Sequence, residues 1–319
     1  MRRWTISRTL DGGRGLSSLG ALAFICLLAF APQLNATIVD VNSPTTSWTA
    51  IRYSNNNPDP SNDQQTGSSE GDIVGNISHA SVYTAFGDAG TPSLTDGTLA
   101  FRIRLGADVN PNGFKTALFV GIDANNDGKI DLFVGVNNSG AGDTIGLWNP
   151  GTGANISPNT TSIVSTPLVS YTQTASNYSW VPVTTTIDPS VGTSLDIDGG
   201  GQNDYFLTFD VPFSDVVGQL AAMGITGFNQ NSTLTYVIAT ATQANSLNQD
   251  LNGVDKNYDG SATWSTLGVL SEQMSASGIS AVPEINPAAW IALLAAGLIG
   301  DRLFRVRRAR RRELFQVAR

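Results

Sequence analysis

Leu99-Ala-Phe-Arg-Ile-Arg-Leu105 alternates without a break. Leu99, Phe101, Ile103 and Leu105 share one face at period two, the pattern of a strand with one side in a core. Arg102 and Arg104 point the other way, to solvent or to nearby Asp side chains. Outward from this stretch, strands are expected at 47–53, 116–122, 131–136, 163–171, 205–211, 234–242 and 264–270. Gly, Asn, Asp and Pro punctuate them, as in an antiparallel sandwich. A single helix is expected at 214–223, capped by Ser214 and ended by Gly224. The polar segment 54–76 reads as a long loop. These elements describe an all-β fold, an antiparallel β-sandwich of jelly-roll-like type with one short helix. It occupies one domain over 37–278, flanked by an N-terminal signal helix and a C-terminal single transmembrane helix.

Charge is divided along the chain. The whole sequence of 319 residues carries −8, yet residues 37–282 hold six basic against 22 acidic side chains, a net −16. Twenty of those 22 are Asp. A body this acidic repels nucleic-acid phosphates and suits cations, so no nucleic-acid partner is expected. Cys26 is the single cysteine and His79 the single histidine. That removes disulfides and thiolate sites from the body, together with zinc clusters and most His-based catalysis.

The two ends carry location signals. A basic start, Met1-Arg2-Arg3, precedes an apolar run from Ala21 to Phe30, which matches a secretory signal over 1–36 with cleavage after Ala36. Near the other end, Val282-Pro283-Glu284 precedes the apolar run 288–300 and eight arginines between Arg302 and Arg319. Arginines beside a short apolar helix would stay on the cytoplasmic side and place the body outside. This tail, 279–319, resembles the PEP-CTERM sorting signal of Gram-negative bacteria. The motif maps onto Val282, Pro283 and Glu284, while Ile285 stands where the family has a second Pro. The resemblance implies an envelope or extracellular-matrix location, transient anchoring in the inner membrane through the C-terminal helix, and an exosortase-like sorting protease as partner. It says nothing of what the body does.

Three acidic loops share a spacing. In the first, Asp123, Asn125, Asp127 and Asp131 stand at positions 1, 3, 5 and 9, Gly128 at 6, and Lys129 would lend its carbonyl. Calcium takes six to eight hard oxygen ligands, and glycine allows the turn that folds alternate side chains inward. Position 12 is Val134, so an outside ligand is needed. The second loop supplies Asp196, Asp198 and Asp204, with Gly201 at 6. The third supplies Asp255, Asn257 and Asp259, with Asp250 and Asn252 just before it. Weak Ca²⁺ binding that rigidifies loops is therefore expected. The alternative is ordinary Asp-Asn-Gly turns with solvated carboxylates.

The strand at 99–105, then 116–122, then Asp204-Tyr-Phe-Leu-Thr-Phe-Asp-Val-Pro-Phe213 and a helix, is similar to DOMON-like, carbohydrate-binding sandwiches. The order implies the fold and a glycan ligand class. Three functions stay open: a structural surface or matrix protein without enzymatic activity, a carbohydrate-binding module using Trp148, Tyr171 or Trp180 on extracellular polysaccharide, and a secreted glycoside hydrolase. The first is expected.

Overall fold

Alternation and turn chemistry build the elements in order. The computed structural model describes residues 38–53, 59–110, 113–140 and 142–278. The expected signal segment, and the tail with Val282, Pro283 and Glu284, lie outside the described residues. The strands are β1 (Thr49–Ala50), β2 (Val82–Gly87), β3 (Thr98–Leu105), β4 (Ala117–Asp123), β5 (Leu132–Asn137), β6 (Thr144–Trp148), β7 (Val169–Thr172) and β8 (Tyr178–Pro182). They continue with β9 (Tyr205–Pro212), β10 (Thr233–Ala241), β11 (Asp250–Leu251) and β12 (Met274–Ser275). One short helix, α1 (Phe213–Ala222), and a single helical turn, α2 (Trp264–Leu267), complete the chain. Among the described residues no helix is long and apolar enough to cross a membrane.

The strands form two antiparallel sheets. One runs β1-β2-β3-β9-β8; the other runs β11-β10-β4-β5-β6-β7, with β12 also on β10. Consecutive β3 and β4 lie in different sheets, and so do β9 and β10. β9 pairs β3 while β10 pairs β4, so the two crossings run side by side. Leu99, Phe101, Ile103 and Leu105 share one core with Leu118, Val120 and Ile122 of β4 and with Leu207, Phe209 and Val211 of β9. Burying each such side chain is worth about 1.5–3 kcal/mol.

Both outer faces are covered as well. Phe119, Phe133 and Trp148 face away from the shared core and pack under Leu251, Trp264 and Val269. Outside the first sheet, Trp48, Val183 and Val191 cover Ala100 and Phe206. That cover explains a departure from the sequence expectation: neither Arg102 nor Arg104 reaches solvent. Arg102 donates to Thr208 Oγ1 and to the carbonyls of Ser43 and Val41, beneath the Trp48 ring at 4.4 Å. Arg104 meets the carboxylate of Asp204, which lies 100 residues away in the chain.

Residues 264–270, expected as a strand, begin with a helical turn instead. Thr263 Oγ1 accepts the Thr266 N–H at 3.1 Å and Gly268 closes the turn at φ 74°, a start-and-stop pair that outweighs the apolar alternation. In α1 the first residue is Phe213, and Ser214 makes no cap; Gly224 follows at φ 94°. The segment expected as a long loop is packed where it is described. It crosses one end of both sheets, with Ile73 bridging Leu105 and the Gln65 N–H donating to the Gln249 carbonyl.

Candidate metal centre

The first acidic loop folds as a backbone-capping turn. Asp123, 1 % exposed, accepts the N–H groups of Asp127 at 3.1 Å and Gly128 at 2.9 Å. Asn125 accepts the Asp127 N–H at 2.9 Å, and Asp131 accepts that of Ala124 at 2.8 Å. Lys129 does not offer only a carbonyl: its ammonium lies 3.1 Å from Asp127 Oδ2. Burial first, then the negative Asp123 and Asp127, raise the Asp131 carboxyl to about 6.

The second loop converges. Carboxylate oxygens of Asp196, Asp198 and Asp204 all lie within 4.8 Å of one another. Gly199 at φ 72° and Gly201 at φ 83° turn the chain so that Asp196 accepts the N–H groups of Gly200 and Gly201. Asp204 accepts the Ile197 N–H and the Arg104 guanidinium at 2.5 Å. Among the described residues no donor reaches the buried Asp198 Oδ2. Burial, and next the contact with Asp196, push the Asp198 carboxyl up. Burial likewise holds Asp204 near 6, against the pull of Arg104.

The third loop stays open. Asp255 and Asp259 are exposed and accept the N–H groups of Asn257 and Ser261. Its neighbour Asp250 turns inward, and its carboxylate meets those of Asp59 and Asp63, again within 4.8 Å. Asp72, 0 % exposed, stands between the two groups. It accepts the Asn62 and Asp63 N–H groups and is raised to about 6 by burial, then by Asp63 and Asp198. Asp59, Asp63 and Asp72 escape sequence reasoning because their partner Asp250 lies far along the chain. The available signal was the absence of Lys and Arg between Arg52 and Arg102, where six acids stand.

Two acidic clusters can therefore hold a metal ion, and both are built of hard oxygen donors. The candidate glycan aromatics are placed differently. Trp148 is 1 % exposed in the outer core, and the Tyr171 hydroxyl donates to Asp215 at 2.5 Å. Trp180 stacks on Tyr205 at 4.9 Å, half-buried at the edge strand. His79 sits in a turn whose Asn76 side chain accepts the Ser78 and His79 N–H groups.

No protein-family model matches this chain, and no curated protein or solved structure matches it either.

Proposed function

We propose that the chain is an exported cell-surface or extracellular-matrix structural protein, sorted through its C-terminal tail and stiffened by calcium in its loops. The observation that carries the calcium reading is the convergence of Asp196, Asp198 and Asp204 with an unpartnered oxygen on Asp198. The −16 body and the end signals support the location. The paired crossings β3–β4 and β9–β10 support the finer reading of the fold as a jelly-roll-like sandwich.

Without a bidentate Glu, affinity on the order of 10⁻⁴–10⁻³ M is expected, the range of extracellular modules. Intact-mass analysis of envelope protein from the native host tests the sorting. The mature chain should lack residues 1–36 and the arginine tail; recovery with the Arg305–Arg312 stretch attached counts against processing. A glycan-binding surface is the second reading, favoured by the half-buried Trp180–Tyr205 stack. Loss of polysaccharide retention in Trp180→Ala would promote it over the structural role.

A further inference from the structure

We propose that Asp59, Asp63 and Asp250 form a second, buried calcium site that clasps residues 59–76 onto β11. It is distinct from the loop site at Asp196, Asp198 and Asp204. Three carboxylates meet there within 4.8 Å, with exposures of 3 %, 5 % and 5 %. Both oxygens of Asp63 and Oδ2 of Asp59 have no hydrogen-bond partner among the described residues. Two neutral groups add to this. The Tyr53 hydroxyl approaches the Asn252 side chain, and Gln64 Oε1 has no partner among the described residues; each residue is 5 % exposed. Tyr53 lies near enough to Asp59 that, after burial, the Asp59 charge is what most keeps its hydroxyl protonated.

Buried carboxylates of like sign are costly unless a cation or strong donors answer them. Elsewhere this protein supplies its own cation: Arg104 answers Asp204 at 2.5 Å, with Asp188 at 3.9 Å. At the Asp59 group the positive charge that reaches Asp63 is that of the exposed Lys256, and it acts more weakly than the Asp63 and Lys256 backbone N–H groups that approach the same carboxylate. The donors are all oxygen, which excludes soft metals. Calcium fits better than magnesium, which demands near-ideal octahedral geometry and retains several waters.

The surrounding contacts define what the ion would do. Asp250 Oδ2 accepts the Ile73 N–H at 2.6 Å, and Asp59 Oδ1 accepts that of Gly253, 194 residues away in sequence. Asp72 holds the backbone at Asn62 and Asp63. An ion on the free oxygens would lock together segments that lie far apart in the chain.

The test is hydrogen exchange of the full-length chain in mild detergent, with CaCl₂ or with EDTA. Calcium should slow exchange of amides 60–73 at least tenfold. Asp63→Asn should abolish that slowing and lower the bound calcium by one ion per chain, with protection at 196–204 retained. In EDTA, Asp63→Asn should melt at or above the wild type, because one repelling charge is gone. Exchange at 60–73 indifferent to calcium, or unchanged stoichiometry in Asp63→Asn, overturns the site. An EDTA melt below wild type with an intact calcium response does so too, since Asp63 would then be sharing a proton. Asp196→Asn separates the two sites: it should leave the 60–73 response intact, and its own effect bears only on the loop reading.

Discussion

Arg104 and Asp204 meet with neither side chain exposed, and Arg104 Nη2 also donates to the Ser194 carbonyl at 2.7 Å. A buried pair is strongly destabilised when one partner is removed, because the other charge is stranded. Arg104→Met should lower unfolding free energy by about 3–5 kcal/mol in urea titrations. Arg104→Lys should not restore it, since an ammonium lacks the fork that reaches Asp204 and Ser194 together. Asp210 on β9 presents the opposite case. Burial raises its carboxyl to about 6, above the ordinary carboxylate value. The folded state thus holds its proton through the window from about pH 4 to 6, and stability falls as pH rises across it. Asp210→Asn should match the wild type near pH 4 and exceed it by about 1 kcal/mol at pH 7, after discounting for solvent screening. An equal gain at both pH values would point to packing instead of charge.

Among the elements, α2 shows what sequence reading catches and what it does not. Trp264 is 0 % exposed and donates from Nε1 to the Asn155 carbonyl at 2.8 Å, roofing the outer face of β4, β5 and β10. Trp264→Ala should cost about 3–5 kcal/mol in urea unfolding. A loss under 1 kcal/mol would mean the roof is dispensable. Leu99–Leu105 was legible as a strand from its alternation, and 116–122, 205–211 and 234–242 as short apolar runs rich in β-branched and aromatic residues between turn residues. β2, β6 and β8 were not, being only five or six residues long and broken by Gly, Thr, Ser or Pro. The burial of Arg102 and Arg104 depends on Val41, Ser43, Ser194 and Asp204, which no spacing rule connects to β3. The metal clusters divide the same way. Asp196, Asp198 and Asp204 were found as one short motif, whereas Asp59 and Asp63 reach Asp250 only through the fold.

For the whole molecule, the acidic excess makes stability depend on the ionic medium. At tenfold excess over Kd, one calcium ion bound only to the folded state adds about 1.4 kcal/mol, or roughly 3–5 °C in Tm for a body of this size. Thermal melts of the full-length chain should rise by that much per occupied site with millimolar calcium and fall with chelator. The exposed Asp143→Asn variant should keep the full shift, and equal melts in calcium and chelator would leave all these loops as turns. The exit of the chain adds a mechanical consequence. β12 pairs β10 of one sheet, Ser271 bridges Tyr53, the Glu272 N–H donates to the Arg52 carbonyl at 2.6 Å, and Gly278 lies against Thr49 and Thr84 of the other sheet. Tension applied through the C-terminal segment is thereby shared between both sheets from the first residue it reaches. A body built this way resists being peeled one strand at a time when it is pulled from residue 278.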